Sequence, residues 1–472
     1  MEHRHRTGER VIFHIDVNSA FLSWSAVERL KEDPSALDLR TVPSVVAGDV
    51  KTRHGIITAK SIPAKKYGIR TAMPVAQALR QCPDLILVQA DFQVYRHYSH
   101  AFLDILHEHS PLVEQASIDE AYMDMTGLEK AWADLEEAGE PFPLCAARAI
   151  KDQIRQQLGF TVNVGISVNK LLAKMASDFE KPDKIHTLYP EEVAEKMWPL
   201  PIGDLHGCGR ATASRLQAIG IRTIGDAAAA DLSVLQSYLG EKAGLYIWNS
   251  ANGRSSSPVQ AVRQQAKSVS NETTTPFDIT STNFEREALP IVRRLSASVA
   301  RRLKKDGFFG KTVQVSVKTA DFARRSRQTG LETSTNDEEV IYRTACRLLR
   351  ELSFGGRGLL TLGGGYRLIG VGVTNLDRGQ YRQLSLADLA QYQEELEAEQ
   401  KEKEKQEQAL RKKKEREEQA LRRKKEQEEK ARREKKERED RLSRLDTVLQ
   451  QRFGSSVVTR GHIPGQENKG VK

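Results

Sequence analysis

Cysteine is scarce and scattered in this chain. Of 472 residues four are cysteine, Cys82, Cys145, Cys208 and Cys346, and no two sit at a metal-ligand spacing. A disulfide framework and a cysteine-built zinc site are therefore not expected. Long apolar runs are missing as well. Nowhere do about 18 apolar residues follow one another, and no apolar stretch stands behind the basic start Met1-Glu-His-Arg-His-Arg6. A membrane span and an export signal are not expected, and the chain reads as cytoplasmic. The chain is also too long for one hydrophobic core, so three or more domains are expected.

Charge is unevenly placed. Residues 1–254 carry a net −4, residues 255–378 a net +8 and residues 379–472 a net +5. The surface suited to a polyanion therefore lies in the second half, unless that charge serves only solubility.

Two acidic strand ends are the most informative feature. Asp16 closes the strand-like run Val11–Val17, and Asp119-Glu120 opens the apolar run Ala121–Met125. An Asp-Glu step is usually a solvated turn, but these flanks carry the acids into a sheet. Adjacent carboxylates repel, and burying them costs several kcal/mol unless a cation neutralises them. A hard divalent ion with oxygen ligands answers that need. Two such ions held by three carboxylates suit in-line phosphoryl transfer.

Periodicity divides the rest. Between residues 10 and 190 short strands alternate with helices: a strand at Val11–Val17, a helix at Phe21–Leu30, strands at Val45–Ala47 and Gly55–Ala59, helices at Val75–Arg80, Gln93–Glu108 and Leu144–Gly159, and a strand at Thr161–Ser167. Leu112–Ala116 and Ala121–Met125 form a hairpin with the acids at its tip. This is an α/β sheet with antiparallel hairpins. Residues 200–250 read as helical, and Gly207-Cys-Gly209 before Arg210–Gly220 suggests a helix–hairpin–helix, whose glycines let backbone N–H groups approach a phosphate, or a plain helix–helix turn. Gly253–Pro258 is a linker. Strands at Ala266–Thr275, Thr312–Lys318 and Tyr366–Leu376, with helices at Glu287–Lys305 and Glu338–Glu351, suggest a βαββαβ unit. Arg324, Arg325 and Arg327 are placed just after a strand, in reach of a DNA backbone or in a solvated loop. Residues 391–445 are low in complexity, with charges of both signs at i, i+4 and no sustained apolar seam. They read as a solvated helical rod or a disordered tail.

The runs His14-Ile-Asp-Val-Asn-Ser-Ala-Phe21, Gly68-Ile-Arg-Thr-Ala-Met-Pro74, Ser117-Ile-Asp-Glu-Ala-Tyr-Met-Asp124 and Gly165-Ile-Ser-Val-Asn-Lys-Leu-Leu-Ala-Lys174 occur in this order. Together they resemble the Y-family DNA polymerases, specifically the DNA polymerase IV branch, over about residues 10–378. The resemblance implies a multidomain α/β and α+β right hand: palm at 1–24 and 90–190, fingers at 25–89, a helix–hairpin–helix thumb at 191–252, a linker at 253–262 and a little finger at 263–378. Beyond these would lie a candidate clamp-binding peptide at 379–390, the charged rod at 391–441 and a C-terminal segment at 442–472.

The implied activity is error-prone, low-processivity, template-directed DNA synthesis past lesions, without proofreading. The implied partners are primer–template DNA, dNTPs and a sliding clamp, and a monomer is expected. Asp16, Asp119, Glu120 and the main-chain carbonyl of Val17 would hold two Mg²⁺ ions, with Glu120 the residue the family treats as catalytic. Phe21 would be the steric gate that leaves no space for a ribose 2′-hydroxyl. Lys174 would contact the triphosphate. The fingers depart from the family pattern Asn-Tyr-Pro-Ala-Arg: Ser61-Ile-Pro-Ala-Lys65 puts Ile62 in place of a tyrosine and Lys65 in place of an arginine. Lysine keeps the charge and loses the bidentate fork. Lys65, Ser61, Thr58 or Lys60 would supply the nucleotide contacts. Gly207, Gly209, Lys267, Arg324, Arg325 and Arg327 are expected on DNA. Gln383, Leu384 and Leu386 resemble the clamp peptide, although Ala387 follows where an aromatic is usual. The alternative is a catalytically impaired DNA-binding repair adaptor of the same fold.

Overall fold

The computed structural model describes residues 9–48, 55–134, 140–262, 265–356, 358–379 and 386–454. Residues up to Gln380 form one compact unit, and residues from Tyr381 onward a second.

The first sheet is built on β1 (Ile12–Val17), all six residues of which are buried. Its β-branched and aromatic side chains favour a strand covered on both faces. Helix α1 (Ala20–Glu32) follows directly. A smaller sheet intervenes, with β2 (Ser44–Ala47), β3 (Ile57–Lys60) and β4 (Ile86–Gln89) in the order β3-β2-β4, carrying α2 (Ile62–Lys66) and α3 (Val75–Gln81). Then come α4 (Phe92–His109), the pair β5 (Val113–Gln115) and β6 (Glu120–Asp124), α5 (Leu144–Leu158), β7 (Val162–Ser167), α6 (Lys170–Ser177) and β8 (Ile185–Thr187). The first sheet runs β5-β6-β1-β7-β8.

Alternation along β1 gives its two faces different jobs. Phe13, Ile15 and Val17 join the core with Trp24, Phe102 and Ile150 from α1, α4 and α5. Ile12 instead meets Tyr122 and Ala173, on the α6 side. His14 shares that side, for its Nδ1 meets Ser177 Oγ at 2.8 Å. Asp16, two residues on, opens on the same face.

Four helices follow: α7 (Arg210–Gln217), α8 (Ile224–Ala229), α9 (Leu232–Leu239) and α10 (Glu241–Ala251). The next sheet has β9 (Ser268–Ile279), β10 (Phe309–Thr319), β11 (Arg324–Thr335) and β12 (Tyr366–Asp377) in the order β11-β10-β12-β9. Helices α11 (Leu289–Lys305) and α12 (Glu338–Phe354) share a core with Val313, Val315 and Val317 of β10. In the second unit, α13 (Leu386–Phe453) is one continuous helix of 68 residues.

Two expectations change. Arg324–Arg327 come just after β10, as expected, but not in a loop. They are the first residues of β11 itself, a strand at the sheet edge. Strands β4 and β8, of four and three residues, were not foreseen. Of the two readings of the rod, the described residues take the helical one, and Leu442–Phe453 continues the same helix.

Helix α6 lies against β7 at one glycine. A Cβ on Gly165 would overlap the Ala173 carbonyl and the Ser177 amide. Gly165→Ala is expected to lower the urea midpoint by an amount equivalent to about 2–3 kcal/mol or more, and an unchanged midpoint would contradict this packing.

Candidate active site

The register of β1 against β6 sets the site. Asp16 stands directly opposite Glu120. Both acids are at strand ends, because β1 stops at Val17 and β6 starts at Glu120. Asp119 precedes β6, and its carbonyl accepts the Val17 amide at 3.0 Å. Its side chain is fixed by Ser117, whose hydroxyl donates to Asp119 Oδ1 at 2.6 Å.

Two lysines neutralise the opposed acids. Lys174 of α6 donates to Glu120 Oε1 at 2.7 Å and lies 4.0 Å from Asp16. Lys181 pairs with Asp16 Oδ2. Asp178 contacts both, at 3.3 Å from Lys174 and 2.9 Å from Lys181. Burial lifts the Asp16 carboxyl to about 7 against the pull of Lys181. Burial acts the same way on Glu120, but the hydrogen bond and charge of Lys174 hold that carboxyl below its usual range.

His14 completes the floor. Ser177 Oγ donates to the Lys174 carbonyl, so it receives the His14 Nδ1 proton. Burial, reinforced by Lys174, pushes the imidazole well below its ordinary range and keeps it neutral. Nε2 is then a bare lone pair without a hydrogen-bond partner, 3.9 Å from Glu120 Oε2. Such an orphaned acceptor facing a carboxylate calls for a donor or a cation between them. Among the described residues no three His, Cys, Asp or Glu side chains are placed to hold a metal ion as they stand. The donor set is nonetheless what a hard divalent ion takes: carboxylates at strand ends, with charge only partly offset by flexible lysines. The residues present fit such an ion once the lysines yield.

Phe21 lies on the first turn of α1. It stacks on Tyr95 with centroids 4.6 Å apart and meets Phe92 edge-on. With Asp16, Asp119 and Thr58 it lines a cavity of about 260 Å³. The fold thus brings Asp16, Val17, Phe21, Asp119, Glu120 and Lys174 to one place.

Other expected residues differ. The Ser61 hydroxyl donates to the Val42 carbonyl and accepts from the Ser44 and Ala64 amides. One donor and two lone pairs are all a hydroxyl has, so in this structure the Ser61 hydroxyl is engaged with backbone and caps α2. Thr58 donates to the Val46 carbonyl and keeps its lone pairs. Lys65 is exposed. Gly207 has φ +84°, and a Cβ there would strike Tyr246, while Gly209 caps α7 with open space beside it. Lys267 is exposed just before β9. Arg324 is paired with Glu272 at 2.8 Å and Arg327 with Glu351 at 2.7 Å. Gln383 and Leu384 lie outside the described residues, and Leu386 begins α13.

The impB/mucB/samB family model matches residues 15–178. Its C-terminal-domain model matches residues 266–386, and a DNA polymerase-iota thumb-domain model matches residues 203–254. The chain belongs to the Y-family of DNA polymerases. Within this family it is similar to DNA polymerase IV of Clostridium acetobutylicum, with 39% identity over 379 residues, 80% of this chain and 90% of the relative. DNA polymerase IV 1 of Bacillus subtilis is 40% identical over 71% of this chain and 77% of the relative. A solved Y-family polymerase chimera superimposes with a TM-score of 0.65 at 25% identity, covering 77% of this chain and 98% of the other. The palm, fingers, thumb and little finger of the Y-family right hand correspond to the first sheet, the small sheet, the four helices and the second large sheet.

Sequence reasoning missed Lys181, Asp178 and His14. All three are near recognised motifs, but only the strand register shows what they touch. Lys181→Met is expected to destabilise the metal-free protein by about 2 kcal/mol, less than loss of a fully buried pair because Lys181 is a third exposed. The folded Asp16 carboxyl lies above its ordinary 3.8, so its ionisation costs stability progressively from about pH 4 to 7 and fully above 7. Without Lys181 that cost grows, so urea titrations will show a larger loss at pH 8 than at pH 5. An equal loss at both would contradict the pairing.

Proposed function

We propose that this DNA-directed DNA polymerase extends a primer across damaged template by nucleotidyl transfer assisted by two divalent cations, Mg²⁺ in the first instance. The observation that carries the reading is the direct opposition of Asp16 and Glu120 across β1 and β6, beside a cavity floored by Phe21. Asp16, Asp119, Glu120 and the Val17 carbonyl would hold the cations. When bound, these supply Lewis-acid charge at the primer 3′-oxygen and on the triphosphate.

The chain's own groups do the positioning. Phe21, locked by Tyr95 and Phe92, presents a rigid face to the deoxyribose. Lys174 pairs with Glu120 and Lys181 with Asp16, and when cations bind they become available to the triphosphate as mobile point charges. Asp178 contacts both lysines already, so they have a partner when they leave Asp16 and Glu120.

The surrounding domains would hold primer–template DNA. The N-terminus of α7 with Gly207 and Gly209 suits a backbone phosphate. Lys267, Arg324, Arg325 and Arg327 suit the duplex backbone from the little finger, where Arg324 and Arg327 exchange Glu272 and Glu351 for phosphate. Sliding-clamp binding through Gln383–Leu386 and a monomeric state belong to the same reading. No helix among the described residues is long and apolar enough to cross a membrane.

Primer extension tests it. Asp119→Ala and Glu120→Ala are each expected to reduce extension roughly a hundredfold or more, with primer–template binding retained. Wild-type protein that extends no primer with any divalent metal would overturn the reading in favour of a DNA-binding adaptor. Phe21→Val is expected to raise the ribonucleotide-to-deoxyribonucleotide ratio of kcat/KM about tenfold or more. An unchanged ratio would make Phe21 a packing residue only.

A further inference from the structure

Asp16 has a second cross-strand neighbour. On the other flank of β1 it stands opposite Asn163 of β7. Asn163 is fully buried, and Asn18, two residues beyond Asp16, is nearly so. Strand alternation puts both side chains on the α6 side of the sheet, where Asp16 lies. Buried amides need partners. These two find them in each other and in one short stretch of backbone.

Asn163 makes every hydrogen bond that a side-chain amide can make. Its Nδ2 donates to the Ser177 carbonyl at 3.1 Å and to the Glu180 carbonyl at 2.6 Å. Its Oδ1 accepts from Asn18 Nδ2 at 3.0 Å and from the Lys184 amide at 3.3 Å. Asn18 Oδ1 accepts from the Asp183 amide and from the Thr161 hydroxyl, both at 2.9 Å. Backbone carbonyls only accept and backbone amides only donate, so these partners settle which end of each side chain is nitrogen. Neither amide can turn over without setting like groups against each other.

The backbone groups held in this way all belong to residues 177–184, between α6 and β8. That segment carries Lys181. The amides hold it on both sides of the lysine, at Glu180 before it and at Asp183 and Lys184 after it. Asp183 has φ +65°, a left-handed backbone that costs any residue with a Cβ. Such a conformation persists only where its surroundings enforce it. Asn18 takes the Asp183 amide, while Lys151, at 2.9 Å, and Arg155 take its carboxylate.

We propose that Asn18 and Asn163 are positioning residues for Lys181. The pair fixes the base of the lysine stem, so that the ammonium reaches Asp16 in the free chain and the triphosphate once cations and nucleotide are bound. This assignment rests on the polymerase reading. Both amides act through the lysine and not on the nucleotide. A lysine stem is flexible, so only a fixed base keeps its charge within reach of both anions. A base that drifts weakens the phosphate contact. A contact made alike to substrate and transition state is lost in KM and leaves kcat.

The test uses the full chain and two readouts. The first is steady-state primer extension on a double-mutant cycle. Asn163→Ala and Lys181→Ala are each expected to raise the KM for dNTP about tenfold, with kcat within about threefold. The double variant is expected to match Lys181→Ala within about twofold, because the amide has nothing left to position once the lysine is gone. Asn18→Ala leaves the Asn163 bonds to Ser177 and Glu180 in place, and is expected to raise KM about threefold. It is the variant to read if Asn163→Ala does not fold. The second readout is hydrogen exchange in the metal-free protein without DNA. The Asp183 and Lys184 amides are expected to exchange at least about tenfold faster in both asparagine variants, with the β1 amides unchanged.

A double variant whose KM rises by the product of the two single effects overturns the assignment, because the amides then act apart from Lys181. So does an unchanged KM in both asparagine variants when the loop amides exchange faster, and so do loop amides that keep their rates. In each case the polymerase reading stands. A wild type that extends no primer with any divalent metal, while the variants still loosen the loop, overturns the polymerase reading and leaves the amide pair as a loop anchor alone.

Discussion

Repulsion between two carboxylates organises this molecule. The β1–β6 register puts Asp16 opposite Glu120 at the strand ends in the middle of a sheet, where little water reaches Asp16 to screen them. A cation must then be present in some form. In the metal-free chain it is the ammonium of Lys174 and of Lys181, each on a long stem from α6 or the loop after it. Asp178 gives both lysines a second partner. Two ammonium groups are thus shared among three carboxylates, which leaves the cluster net negative, and each lysine can exchange one carboxylate for another.

Strand alternation supplies the platform. Phe13, Ile15 and Val17 build the core on one face of β1, while His14 and Asp16 face α6 on the other. The same helix that carries Lys174 is held close to β7 by Gly165. Packing and chemistry thus share one element, and the position of Lys174 depends on a backbone contact that no side chain makes. Phe21 shows the same economy. Its ring is part of an aromatic cluster with Tyr95 and Phe92, and that packing is what makes its exposed face rigid.

Much of this was legible in the residues. Asp16, Asp119 and Glu120 announced themselves as acids at the ends of apolar strands, and the domain order followed from periodicity, linker composition and charge. What was hidden has a common cause. Lys181 and Asp178 are ordinary charged residues in a polar stretch until the register brings Asp16 to them. Strand β11 reads Arg-Arg-Ser-Arg-Gln-Thr, without apolar alternation, because it is an edge strand with little to bury. Strands β4 and β8 are too short to show a period. Ser61 looked like a ligand because it lies in a binding motif, but its hydroxyl is fully occupied by backbone.

The central claim is that divalent cations take the place of the lysines between Asp16 and Glu120. Crystals grown with Mn²⁺, primer–template DNA and a non-hydrolysable dNTP analogue test it most directly by anomalous scattering. The account predicts anomalous peaks between Asp16, Asp119 and Glu120, with Lys181 moved off Asp16 and Lys174 off Glu120. Bound DNA and nucleotide with no peak there, and both lysines still paired to the acids, would contradict it.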